Sequence, residues 1–318
     1  MGAYAIYISY SNRMASTINT TSIKSSARYL GSEYFDDIVY DNKNITTNIS
    51  VIDEQVKESF AFLITGHWLQ GNIGEDRKNI SGAVHCFFNT FKNKKNQPAL
   101  ILKTSGATYS VVDRMDIETK IEQIKLLFPN ESLPPVYLLH GDLTNKEMNA
   151  LYNHPKIKAM ISFTKAEGFG RPLLEFSSII GKPILAPYYS GQSDFLKQEF
   201  ICALPGALTA IHGSARNDFL IEGAKWFSVD YGYASKMMQD MITNYKKWKE
   251  LSKRQRYFVR SNFTKQAISS KYDEIIKLID GFAESIPTPV SLKLPKLNPV
   301  KPQNTDTPKL KLPKLSKV

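Results

Sequence analysis

Residues 159–196 constrain the fold more than any other part of the chain. Two apolar runs, 159–163 and 183–186, read as buried strands. Between them a helix-length segment opens at Pro172 and closes at Gly181, the punctuation expected of a helix. Strand, glycine turn, helix and second strand predict a parallel unit, in which ligands bind at the turn after the first strand. That turn carries a carboxylate, Glu167, two glycines, Gly168 and Gly170, and a cation, Arg171. A second carboxylate, Glu175, lies one turn into the helix.

The same alternation runs upstream. Residues 60–65, 98–103 and 136–139 read as strands that end at Gly66-His67, Ser105-Gly106 and His140-Gly141. Residues 80–91, 116–128 and 145–154 have helical periodicity. Together they predict an α/β fold: a doubly wound parallel, Rossmann-like sheet with helices on both faces. Downstream, 226–229 reads as one more short strand, and 234–251 and 265–282 as amphipathic helices packed back on the sheet. Residues 1–57 are rich in Ser, Thr and Asn and too few for a second α/β domain, so they read as a remnant or a partner-dependent piece. The ordered domain is expected over 58–285. In 286–318 the run L-K-L-P-K-L occurs twice, and its prolines and lysines predict a disordered tail.

Composition settles several broader classes. With 42% hydrophobic residues the 318-residue chain can bury a sizeable core. No run of about 18 apolar residues predicts a membrane span. The N-terminus lacks the basic start and apolar run of a signal peptide. Cys86 and Cys202 sit in apolar contexts and read as reduced core thiols, so the expected location is cytoplasmic. A net charge of +11 first suggests nucleic acid. Residues 287–318, however, hold seven lysines against one aspartate, a surplus of six that leaves five for the rest. Most of the excess belongs to the tail, and nucleic acid is not the expected partner.

The turn has a definite chemistry. Backbone N–H groups from Gly170 through Leu173 to Leu174, less the one Pro172 lacks, are donors at a helix start and suit phosphate. Glycine lets that backbone approach a ligand closely. Carboxylates repel phosphate but accept from hydroxyl groups, so a pair of them suits a ligand with two polyol parts. Phosphates flanked by a ribose and a second sugar describe a nucleotide sugar.

At this point a resemblance becomes specific. The run E-G-F-G-R-P-L-L-E, followed by G-K-P-I-L-A and S-G-Q-S-D-F-L, resembles the donor-binding, C-terminal half of retaining GT-B glycosyltransferases of family 4 (glycosyltransferase group 1). In wording it is closest to those of large tailed phages. G-H-W-L-Q-G-N-I-G-E-D-R-K-N resembles the first strand and its phosphate loop, L-I-L-K-T-S-G-A the second strand, and V-Y-L-L-H-G-D-L-T-N-K-E-M-N-A-L-Y the strand and helix beside the base. The resemblance covers residues 60–282.

It implies a metal-independent hexosyltransferase, without a cofactor, that moves a sugar from a UDP- or GDP-sugar to an unknown acceptor with retention. It further implies that Glu175 binds the ribose and Glu167 the transferred sugar. Gly168, Phe169 and Gly170 would line sugar and diphosphate, and Lys78 would neutralise the diphosphate with Arg77. Many relatives carry Gly-Arg where this chain has Gly66-His67; either His67 is a weaker substitute or Arg77 takes the role. His140 reads equally as a neighbour of the base or as a turn residue, and Gly191 as a donor contact or as the end of a strand. A complete enzyme of this kind has two Rossmann-like domains. The alternative is therefore a non-catalytic or split donor-binding module that takes its acceptor side from a second chain. If the chain is phage-encoded, the cytoplasm is the host's.

Overall fold

Residues 61–63 and 99–102 are apolar at every position, the mark of strands covered on both faces. The computed structural model describes residues 50–69, 74–106, 108–215 and 222–285. In it these runs form β1 (Ala61–His67) and β2 (Ala99–Ser105), paired in parallel. β3 (Val136–Leu138), β4 (Ile157–Ile161), β5 (Ile184–Pro187) and β6 (Cys202–Leu204) complete one parallel sheet in the order β3-β2-β1-β4-β5-β6. The order reverses between β1 and β4, and sheets of this kind bind ligands at that switch point, outside the carboxyl ends of the strands. The expectations placed on 1–49 and on the tail 286–318 lie outside the described residues.

Alternate strand residues face opposite layers. Phe62 and Ile64, with Leu100 and Leu102, pack against α2 (Ile80–Phe91), α3 (Val111–Lys125) and α6 (Tyr231–Thr243) through Phe87, Ile121 and Met238. Ala61 and Leu63, with Ile101 and Met160, pack against α4 (Asn145–Asn153), α5 (Arg171–Ser178) and α7 (Tyr245–Asn262) through Leu151, Phe176 and Val259. The short α1 (Ser50–Gln55) joins this second layer, with Ile52 and Val56 buried. Each large buried side chain contributes about 1.5–3 kcal/mol, so the two layers hold the sheet more than local propensity does. Cys86 and Cys202 are buried and free, and burial pushes both thiols up to about 12.

Three of the elements read from the sequence differ in bounds or pairing, while α1 and β6 have no counterpart in that reading. α3 begins at Val111 rather than at Asp116, because the Ser110 hydroxyl caps it, accepting from the Asp113 N–H at 3.2 Å. Residues 234–251 span two helices: Asn244 (φ −111°, ψ 35°) leaves helical geometry, and its side-chain amide donates to the Asp240 carboxylate at 2.7 Å. The strand at 226–229 is β8 (Lys225–Val229), which pairs antiparallel with β7 (Gly206–Ala210) in a separate two-stranded sheet. The chain divides into two compact units between Asp273 and Glu274, and α8 (Lys265–Ser285) is the last described element. Among the described residues no helix is long and apolar enough to cross a membrane.

Candidate functional site

Two turns meet at the switch point. The first leaves β1 and enters α2; the second leaves β4 and enters α5. Asp76 folds the first: its carboxylate accepts from the Ile80 N–H, the first of α2, at 2.9 Å and from the Ser81 hydroxyl at 3.0 Å. These bonds close the loop over Arg77 and Lys78, which meet the second turn. The Arg77 carbonyl accepts from the Lys165 N–H at 2.9 Å, and its guanidinium donates to the Ala166 carbonyl at 2.6 Å and to Glu167 at 3.2 Å. Lys165 ties the turns a second time. Its ammonium donates to the Gly74 carbonyl and lies 4.2 Å from the centre of the Trp226 ring.

Glu167 is where these contacts converge. Its side chain is only 9% exposed, with the Lys78 ammonium 2.6 Å from one oxygen and the Thr164 hydroxyl donating to the same oxygen at 2.7 Å. Burial pushes this carboxyl up, but Lys78, Arg77 and Thr164 outweigh burial and hold it below the usual glutamate range. A depressed folded-state pKa means that the unfolded chain binds the proton first, at about 4.3. The stability this carboxylate contributes is therefore present above that pH and is lost as pH falls through the folded value. Urea unfolding between pH 7 and pH 3 should show a steep acid loss in the native protein. Glu167→Gln should start less stable and show a flatter profile; parallel profiles would remove the ion pairs from the account.

Glu175 is buried, and both its oxygens are engaged. The Tyr152 hydroxyl donates to one at 3.2 Å, and the Arg171 guanidinium pairs with the other from one turn earlier in α5. Burial, and then the charge of Glu175, keeps the Tyr152 phenol well above its ordinary pKa, so it remains a donor. The helix start is less open to phosphate than its sequence implies. The Leu173 and Leu174 N–H groups donate to the Gly170 carbonyl at 3.0 and 3.3 Å and are committed to the helix itself. Gly170 supplies the left-handed φ of 86° that this turn into α5 requires.

A cavity of about 350 Å³ opens beside Glu175, at the carboxyl ends of β1 and β2. Gly66, His67, Lys78, Arg171 and Glu175 line it, with Lys103, Tyr109, Asp142 and Asn149 also on its wall. Glu167, Gly170 and Leu173 line a much smaller recess that shares Thr65, Lys78 and Pro172 with the cavity. Lys78 thus borders both spaces. The cavity combines cations with a buried carboxylate, the pairing a ligand with phosphates and hydroxyls would need.

Of the other expected residues, Arg77, Gly168, Phe169, His140 and Gly191 line neither space. Arg77 backs Glu167. Gly168 and Phe169 lie along the turn, Phe169 half exposed with its ring 5.2 Å from that of Phe195. His67, on the cavity wall, has Nδ1 3.1 Å from the Ser105 hydroxyl. His140 pairs with Asp113 at 2.8 Å, and that carboxylate also accepts from the Gly106 and Thr108 N–H groups, so the imidazole braces the loop after β2. Gly191 supports the turn from behind, its N–H donating to the Glu167 carbonyl at 3.0 Å. A Cβ at Gly191 would stand 2.1 Å from the Gly168 carbonyl oxygen, backbone that cannot swing aside. Gly191→Ala is expected to cost more than about 2 kcal/mol in urea unfolding; a neutral effect would show the turn to be pliable.

Sequence reasoning missed Thr164, Tyr152 and Asn149. Thr164 was open to notice, as a hydroxyl at the end of β4 three residues before Glu167. Tyr152 carried no local signal, because its hydroxyl meets Glu175 only through the packing of α4 on α5.

No protein-family model matches the chain, and no curated protein sequence matches it. Among solved structures the chain is similar to an alpha,alpha-trehalose 6-phosphate synthase from Burkholderia multivorans, with 9% identity and a TM-score of 0.54, over 79% of this chain and 49% of that one. It is similar to a glycosyltransferase from Rickettsia africae, with 13% identity and a TM-score of 0.52, over 78% of this chain and 55% of that one. The C-terminal domain of a glycosyl transferase group 1 family protein from Francisella tularensis aligns over 67% of this chain and 90% of its own, with 12% identity and a TM-score of 0.46. The chain spans about half the length of the first two. The likeness is one of fold, the Rossmann-like C-terminal half of a GT-B architecture.

Proposed function

We propose that residues 58–285 bind a nucleotide sugar, UDP- or GDP-linked, and transfer its hexose to an acceptor with retention. The observation that carries this reading is the grouping of Glu167, Lys78, Arg171 and Glu175 at the switch point of the sheet. Glu175, oriented by Tyr152, accepts from the ribose hydroxyls. Lys78 and Arg171 face the diphosphate, with Arg77 behind them. Glu167, fixed by Thr164 and the two cations, accepts from hydroxyls of the sugar.

The reaction breaks the bond between the anomeric carbon and the diphosphate, so negative charge grows on the departing oxygen. Fixed cations in a water-poor site stabilise that charge without having to reorganise. These side chains can carry the charge, so the proposal includes no metal and no cofactor. A second reading is donor binding without transfer; the part of each of the two structures above that aligns with this chain is about half of its length. In that case a second chain supplies the acceptor side.

Calorimetry with a panel of UDP-, GDP- and ADP-hexoses tests the proposal. One nucleotide class is expected to bind in the micromolar range, and release of the free nucleotide diphosphate separates transfer from binding alone. Binding of none of the panel would overturn both readings.

A further inference from the structure

The tail accounts for six of the chain's eleven net positive charges. The remaining five are not spread over the folded part. α7 alone holds seven basic residues against one acid, Glu250, a surplus of six, so everything outside α7 and the tail sums to minus one. Lys246, Lys249, Lys253, Arg256 and Arg260 follow one another at intervals of three and four. They therefore form a single stripe along the helix, about 21 Å long at 1.5 Å per residue. Lys246, Lys249 and Lys253 are exposed, Arg256 and Arg260 partly so. Lys247 and Arg254 lie about a quarter turn round the helix from it, and Tyr257 stands between, 76% exposed.

Three observations separate this stripe from an ordinary solvated face. Among the described residues only Lys253 of the seven cations forms a close ion pair, with Glu250 at 2.7 Å; Lys246 and Lys249 share the field of that one carboxylate, and Lys247 that of Asp240. The Arg256 Nε is buried without a hydrogen-bond partner, one turn from the like charge of Arg260. Like charges three and four residues apart each destabilise a helix by a few tenths of a kcal/mol, and this helix repeats that arrangement along its whole length.

We infer that the outward face of α7 docks the phosphate backbone of double-stranded nucleic acid. A row of cations with a single ion pair among them matches a rod of phosphates, and guanidinium groups suit phosphate oxygens. An anionic lipid surface fits less well. A helix that lies in a membrane buries its apolar face among lipid chains, whereas Trp248, Ser252, Gln255 and Val259 on the inner face of α7 are buried in the protein. The inference is independent of the donor-site reading, since no residue of the stripe lines either cavity.

Fluorescence anisotropy of the full chain with a labelled 20-base-pair duplex tests it. Five phosphate contacts predict a slope of about −4.5 for log affinity against log salt, a fall of about 500-fold between 50 and 200 mM. The combined substitution Lys246→Gln, Lys249→Gln, Lys253→Gln, Arg260→Gln should flatten that slope by about one unit for each residue, with hexose-nucleotide affinity unchanged. Hydrogen exchange of the wild-type chain, which needs no variant, should show protection of residues 246–260 on adding duplex. An unchanged slope in the variant, or protection confined to other segments, would assign the binding elsewhere and overturn the inference. So would capture by phosphatidylglycerol vesicles without duplex binding.

Discussion

Lys78→Ala is expected to lower donor turnover by about 100- to 1000-fold, with a smaller change in nucleotide affinity. That range is the usual loss when one preorganised group facing a developing negative charge is removed. Lys78 is the side chain for which the expectation is strongest, because it borders both the cavity and the recess and lies 2.6 Å from Glu167. The substitution has a second consequence that separates it from general damage. Glu167 is held below the usual glutamate range against burial, with Lys78 the foremost cause. Without Lys78 its carboxyl titrates at higher pH, so the acid limb of the pH–rate profile should move upward. Steady-state turnover across pH measures both effects. A rate within threefold of wild type, or a lowered rate with an unmoved acid limb, would take Lys78 out of its role.

Glu175→Ala should weaken nucleotide binding by about 10- to 100-fold. A hydrogen bond to a charged group contributes about 1.5–3 kcal/mol, and each 1.4 kcal/mol is a factor of ten. The alanine variant also leaves the buried Tyr152 hydroxyl without its acceptor and Arg171 without its carboxylate, so part of the loss is structural. Glu175→Gln keeps an acceptor for Tyr152 and separates the two causes. It should recover most of the thermal stability while binding remains weak. If glutamine restores affinity as well, the carboxylate charge is not what the ligand reads.

The central strands were legible because their chemistry is local. Residues 61–63, 99–102 and 159–161 are continuously apolar, and each is followed by a polar or glycine turn. Glu167 and Glu175 were legible for the same reason, since one turn and one helix start set their spacing. What remained hidden depends on tertiary packing. β7 is exposed at all five positions and has no alternation to detect. The outward Val111, Val112 and Met115 mask the start of α3. The Lys165 contacts with Gly74 and Trp226 join segments roughly 90 and 60 residues away, which no window on the sequence spans. The charge outside the tail is gathered on α7, where the sequence shows the lysines and arginines and the structure shows which of them face outward.

The central pairing of β1 with β4 has a consequence for synthesis. β1 acquires β2 on one side soon after it leaves the ribosome, but its other edge has no partner until residues 157–161 follow, roughly 90 residues later. At about 5–20 residues per second that interval is about 5–18 s. Throughout it the backbone of Phe62 and Leu63 presents unpaired donors and acceptors between apolar side chains, an open template for another nascent copy. Slowing translation between residues 70 and 155 should therefore lower the soluble yield, whereas slowing it after residue 165 should not.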